Sequence, residues 1–253
     1  MIDLHSHLLP SVDDGSRSVE QSVRVLTSMA REGITDVCLT PHFKASRAEA
    51  GPPPAHQMAF AELMEQAPAV PRLHRGAEVM LDRPLTRPVA VARNVTLGGS
   101  RYILVEFPRL VAVDIVTAAL SQVLDLGLLP VVAHPERYSC CSVQAVRYWR
   151  SLGAKMQVDA TTLLSGQARG QRARQLVGEG LGDIIAGDNH GDDRSVATGA
   201  KLLKAQDGTE QVELLAVTNP SAILSDRPLI PVPPLQIRQS WMRRIKEFLE
   251  GGA

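Results

Sequence analysis

The sequence predicts one large α/β domain built on parallel strands, on the scale of a barrel. Three observations lead there. Segments of β-branched and apolar residues alternate with amphipathic stretches from end to end, as repeated β-α units require. The 253 residues suit a single α/β barrel, typically about 250 residues long. Seven candidate strands follow one another with no linker or sequence repeat between them, so residues 1–253 are expected to form one domain.

The expected strands run from Met1 to His5, Ile34 to Thr40, Leu73 to Val79, Tyr102 to Phe107, Leu128 to Ala133, Ala154 to Val158 and Asp183 to Gly187. Between the first two, Ser18 with Gln21 three residues later makes a capping box. Val19, Val23, Leu26 and Met29 form a helical stripe there, and Gly33 ends it. Further helices are expected at Val113 to Leu126, Ser142 to Leu152, Gln167 to Glu179 and Val196 to Ala205. Ala45 to His56 contains Gly51-Pro52-Pro53-Pro54, which predicts an exposed loop, either a spacer or a lid beside His42. The end of the chain, at about 226–253, is expected to hold an extended Pro-rich stretch from Arg227 to Leu235. A short helix from Trp241 to Leu249 should follow it.

Composition excludes several classes of function. With 44% hydrophobic and 21% charged residues the chain can build a core, and no apolar run reaches the ~20 residues that cross a bilayer. The 27 basic residues balance 27 acidic ones, which gives no electrostatic reason to expect a nucleic acid or an anionic membrane as partner. Three cysteines without a CxxC pair do not make a disulfide framework, and Met1 leads into Ile2, Asp3 and His5 without a signal-like segment. A cytoplasmic protein is expected.

The polar residues carry the functional signal by their position. Strand one ends in His5-Ser6-His7, with Asp14 beyond it, and strand two runs into His42. Strands three and four end at Glu78 and Glu106, strand five runs into His134, and strand seven into Asp188 and His190. Strand six has no such residue. The C-terminal ends of parallel barrel strands converge on one mouth, so these nine side chains can meet although they span most of the chain. Alternation along a strand lets His5 and His7 face one ion, and Asp188 with His190 repeats the spacing. Five imidazoles and four carboxylates exceed the donors of one catalytic zinc, which implies two or three metals. The absence of thiolate leaves manganese, iron(II), zinc or cobalt.

The segments IDLHSHLLPSVDDG, LTPHF, GAEV, LVEFP, VVAHPERY and IAGDNH, with TNP at Thr218 to Pro220, resemble the polymerase and histidinol phosphatase (PHP) superfamily. More narrowly, they are similar to its bacterial capsule-regulating protein-tyrosine phosphatases, and the resemblance runs from Met1 to about Leu224. It implies the PHP fold, a distorted seven-stranded (β/α)7 TIM-like barrel, and three divalent ions, usually manganese. In that resemblance His5, His7, Glu78 and Asp188 hold the first ion, and Glu78 bridges to a second held by Glu106 and His134. Asp14, His42 and His190 hold the third. Arg137 matches the family's phosphate-binding arginine, and Arg194 stands about one residue short of the spacing of a second. The expected substrate is a phosphotyrosine protein, in this family the tail of a membrane tyrosine autokinase of exopolysaccharide synthesis.

Hydrolysis then proceeds by a metal-activated hydroxide, with Arg137 on the phosphoryl oxygens. Cys141 and Arg147 form the C-x5-R spacing of thiol phosphatases, but SVQAV lacks the glycines of a phosphate loop and belongs to an expected helix. His56 and His74 lack motif context. A small-molecule phosphatase acting on a substrate such as histidinol phosphate is the main alternative. A barrel amidohydrolase would want a lysine where Glu78 and Glu106 stand, and a non-catalytic PHP module would not need the full set of donors.

Overall fold

In the computed structural model, which describes residues 1–237, the seven expected strand positions are all occupied. The expected helix at Trp241 to Leu249 lies outside the described residues. The segments are β1 (Ile2–Ser6), β2 (Asp36–Leu39), β3 (His42–Lys44), β4 (Arg72–Arg75), β5 (Glu78–Met80), β6 (Tyr102–Glu106), β7 (Leu129–Ala133), β8 (Lys155–Asp159) and β9 (Ile184–Ala186). The second expected strand, Ile34 to Thr40, is β2, and a separate β3 follows it beyond Pro41, while the third is divided into β4 and β5. Pro41 has no N–H to continue a ladder at the first break. At the second, a Cβ on Gly76 would stand 2.8 Å from Cys38 Sγ, so the chain passes β2 more closely than a side chain allows.

Every ladder is parallel, but the hydrogen bonds form two sheets, β1-β2-β4 and β3-β5-β6-β7-β8-β9. A continuous closed ring of seven strands is therefore not formed. The two sheets run into one another where β3 follows β2 and β5 follows β4, and β1 meets β9 at a seam rather than a ladder. There the Gly187 N–H donates to both oxygens of the buried Asp3 carboxylate at 3.1 Å. Asp188 N–H donates to His5 C=O at 3.0 Å and His7 N–H to Asn189 C=O at 2.7 Å. The seam thus fixes two of the segments that carry candidate donors.

Alternation along the strands separates two apolar layers. Tyr102 and Leu104 join Leu4, Val131, Ala133 and Ile184 in one cluster, while Ile103, Val105, Val132 and Val158 pack in a larger one with helix residues such as Leu26, Leu120 and Trp149. Helix α1 (Val19–Arg31) begins at the expected cap, with Gln21 N–H donating to Ser18 Oγ at 3.2 Å, although the Gln21 side chain reaches back to Arg17 N–H rather than to Ser18. A short α3 (Arg87–Ala92) lies outside the expected pattern, while α4 (Val113–Asp125), α5 (Val143–Leu152), α6 (Ala168–Gly178) and α7 (Val196–Lys204) fall where the pattern predicts them.

The segment from Ala45 to His56 is not one exposed loop. Residues Ala45–Ala50 form a 3-10 helix that buries Ala45 and Ala48, and α2 (Pro54–Gln66) starts inside the Pro run. Proline costs a helix nothing in its first turn, where its missing N–H would have no partner. The expected extended stretch does lie without regular structure over residues 227–237 and is clasped by the buried Asn219. That side chain donates to the C=O of Asp183 and Ile230 at 2.9 Å and accepts Ile230 N–H at 2.8 Å.

Candidate metal centre

All nine expected donors converge at the C-terminal ends of the strands. Their ligand atoms fall into four overlapping groups: His5, His7 and Asp188; His5, Glu78 and His134; His42, Glu78 and Glu106; and His7, Asp14, His42 and His190. Glu78 lies at the middle, fully buried, with Oε2 at 3.4 Å from His5 Nε2, 3.3 Å from His7 Nε2 and 3.0 Å from His42 Nδ1. Its Oε1 is 2.9 Å from His134 Nε2. Register explains the grouping, since His42, Glu78 and Leu104 stand side by side on three neighbouring strands, and Lys44, Met80 and Glu106 form the next row toward the mouth. Exposure rises along the same direction, from 0% at His5 and Glu78 to 38% at His42 and 71% at Asp14.

Hydrogen bonds on the far side of each ring decide which nitrogen faces the centre. His5 Nδ1 donates to Gln157 Oε1 at 3.0 Å, and His134 backbone N–H donates to the same oxygen at 3.2 Å, which fixes the orientation of the amide. His7 Nδ1 donates to Asp13 Oδ2 at 2.8 Å, and His190 Nδ1 to Asp188 C=O at 3.0 Å. In the neutral rings Nε2 therefore presents its lone pair. The Nε2 atoms of His5 and His7 face one another at 3.2 Å, and Glu78 Oε2 is buried among three ring nitrogens with no well-aligned hydrogen bond among the described residues. Two lone pairs and an unsatisfied carboxylate oxygen directed at one point are costly unless a cation lies between them. The nitrogen and oxygen donor set fits divalent metal ions.

Without cations the same arrangement competes for protons. Burial pushes His5 down, but Glu78 and Asp188 outweigh it and raise the ring to about 9. Burial pushes Glu78 up, and His5, His134 and His42 together hold it well below the ordinary carboxylate range. Glu106 goes the other way, raised to about 8 by burial and by the charge on Glu78. Two backbone positions add strain: His134 and Asp188 adopt left-handed φ of 31° and 50° just beyond β7 and β9. Such conformations cost about 1–3 kcal/mol each and persist where the surroundings impose them.

Both expected arginines border this cluster. Arg137 Nη2 donates to Asp159 Oδ2 and Asp188 Oδ2, each at 2.5 Å, and Arg137 Nε is buried without a partner. It is held in the site rather than in a surface ion pair. Arg194 Nη1 lies 3.4 Å from Asp188 Oδ2 despite the short spacing, because Asn189 Nδ2 donates to Arg194 C=O and folds the loop back. Arg194 also pairs with Asp192 at 2.9 Å.

Sequence reasoning missed the residues that hold the donors. Asp13, next to the expected Asp14, accepts both His7 Nδ1 and, at 3.0 Å, His42 N–H. Gln157 and Asp159 project from β8, the strand without a donor of its own. A polar residue at alternate positions between the buried Met156 and Val158 was the available signal. The residues set aside stay outside the cluster. His74 bonds Asp36 at 2.8 Å, Arg147 pairs with Glu179 at 2.7 Å, and burial pushes the Cys141 thiol up to about 12.

The family described as capsular polysaccharide synthesis, CpsB/CapC, matches residues 1–225. The chain belongs to this family. The matched span, residues 1–225, contains all nine clustered donors and both arginines. Among curated relatives, the tyrosine-protein phosphatase CpsB of Streptococcus pneumoniae is 28% identical over 244 residues, covering 90% of this chain and 99% of its own. The tyrosine-protein phosphatase YwqE of Bacillus subtilis (strain 168) is 32% identical over 147 residues, 54% of this chain and 55% of its own. A chain from the crystal structures of YwqE from B. subtilis and CpsB from S. pneumoniae, described as unique metal-dependent tyrosine phosphatases, superposes with a TM-score of 0.77. It is 23% identical, and the match covers 94% of this chain and 100% of that one. Dihydropyrimidinase from Brevibacillus agri NCHU1002 superposes at 0.53 with 11% identity over 92% of this chain and 73% of that one, which is a likeness of fold alone.

Proposed function

We propose that the protein is a metal-dependent protein-tyrosine phosphatase acting in capsule or exopolysaccharide synthesis. The observation that carries this reading is the clustering of five imidazoles and four carboxylates, Glu78 at its middle, beside two arginines, in a CpsB/CapC chain. On this reading the two sheets are arcs of a distorted (β/α)7 barrel. Three divalent ions, manganese first and iron(II), zinc or cobalt as alternatives, are held by His5, His7, Glu78 and Asp188, by Glu78, Glu106 and His134, and by Asp14, His42 and His190. The grouping of His7, Asp14, His42 and His190 supports the third set. Bound ions would supply Lewis-acid charge to the phosphoryl group and lower the pKa of a water to near 7.

The chain's own groups do the rest. Arg137, anchored through Nη2 on Asp159 and Asp188, turns its remaining N–H groups to the phosphoryl oxygens, and Arg194 adds a second positive charge across Asp188. Gln157 and Asp13 keep the imidazole lone pairs directed inward. Cys141 stays a buried thiol, so no cysteinyl phosphate forms. Phenolate leaves without strong proton donation, which favours phosphotyrosine over phosphoserine. The expected substrate is the phosphotyrosine tail of a membrane tyrosine autokinase, met in the cytoplasm. No helix among the described residues is long and apolar enough to cross a membrane. The test compares kcat/KM for phosphotyrosine peptide, phosphoserine peptide and histidinol phosphate at one manganese concentration. Phosphotyrosine should be preferred, and a clear preference for histidinol phosphate would overturn the reading.

A further inference from the structure

A cavity of about 670 Å³ opens directly beside the candidate metal centre, with His42 and Glu106 in its wall. Its other walls combine apolar and basic side chains. Val12, Phe43 and Met80 are largely apolar, while Lys44 and Arg47 are exposed and make no ion pair within 4 Å among the described residues. Strand geometry fixes Lys44 relative to the site. It follows His42 by two residues on β3, so both project to the same side about 6–7 Å apart along the strand. Lys44 is also in register with Met80, which is in register with Glu106, giving a row from a cation across an apolar residue to a candidate ligand. Arg47 follows on the 3-10 helix. Asp82, the carboxylate that feels the charge of Lys44, is occupied by the Ser46 N–H at 2.9 Å and hydroxyl at 2.7 Å.

We propose that this cavity is the docking groove for the polypeptide around the phosphotyrosine, and that Lys44 and Arg47 select substrates carrying Asp or Glu beside that residue. The inference rests on the phosphatase reading of the metal centre. A phosphate held at the metal centre leaves the tyrosyl ring beside Met80, which stands on the same face as His42 and Lys44 and supplies a thioether for it. The neighbouring peptide residues then meet two exposed cations that form no ion pair among the described residues. Carboxylates are the complementary groups, and charges at such a rim act mainly on encounter and on the choice of partner.

Two phosphotyrosine peptides that differ only in acidic or basic residues flanking the phosphotyrosine provide the test, read as phosphate release by the manganese-loaded full chain. The acidic peptide should have a kcat/KM about tenfold higher, and the advantage should shrink as salt rises from ~50 mM to ~500 mM. In the Lys44→Glu/Arg47→Glu double variant the ratio should fall to one or invert. Equal rates, or a preference for the basic peptide, overturn the inference and leave the phosphatase reading intact. An acidic preference that persists unchanged in the double variant overturns the assignment to Lys44 and Arg47. No release from either peptide overturns both readings together.

Discussion

Two clusters of the same residue types stand at opposite ends of the strands and are satisfied very differently. At the start of β2 and β4, Asp36 accepts Arg72 Nε at 2.9 Å, Arg72 Nη2 at 3.0 Å and His74 Nε2 at 2.8 Å, so the carboxylate has donors on both oxygens. At the other end Glu78 Oε2 has no well-aligned hydrogen bond among the described residues, and imidazole nitrogens face one another. The first arrangement is complete within the chain. The second needs something the chain does not supply. In barrels, structure is maintained at the N-terminal ends of strands and chemistry at the C-terminal ends, and this contrast gives that division a local electrostatic form.

Removing the central carboxylate should break the comparison most severely. Glu78→Ala is expected to lower kcat by about a thousandfold or more and to reduce bound metal, because one side chain serves two donor groups. Steady-state kinetics with elemental analysis measures both, and near-normal turnover would show that the centre is misread. Arg137→Ala should lose roughly ten- to a thousandfold in kcat/KM if it meets charge developing on the phosphoryl group. Unchanged kinetics would reduce it to an ion-pair partner of Asp159 and Asp188.

Asp13→Asn sharpens the contrast from the supporting side. It should weaken metal binding by about ten- to a hundredfold in a competition titration, since the His7 ring loses its charged acceptor. Equal affinity would remove Asp13 from the assembly. The smallest functional effect belongs to the opposite end. Asp36→Asn should leave kcat/KM within about twofold and lower Tm by a few degrees. Burial pushes Asp36 up, but Arg72 and His74 outweigh it and hold its pKa below 3.8, so its contribution is present above that value and is lost as pH falls through the lowered pKa. Acid melting curves of wild type and variant should therefore converge at low pH.

The sequence made the donors legible because all but the loop residue Asp14 sit at or just beyond a strand end, a position that periodicity locates without knowledge of the fold. The same periodicity located all seven strand positions and five of the helices. It failed where proline changes meaning with position. Pro52 to Pro54 suggested a loop, yet Pro54 is the first residue of α2. Closure was also out of reach, because hydrophobic alternation is the same whether β1 and β9 form a ladder or meet through the Asp3 carboxylate. Asp13 carries no spacing signature, and Gln157 shows only as a polar residue between buried strand neighbours, since their role is to meet the outer nitrogens of rings brought from other parts of the chain.

The central claim, that the unsatisfied cluster around Glu78 is completed by divalent cations, is tested most directly by metal content and activity in one preparation. Full-chain protein should contain two to three divalent ions per chain, lose phosphotyrosine hydrolysis in step with their removal by a chelator, and recover it when manganese is returned. Full activity in a preparation holding one ion or none would contradict the account.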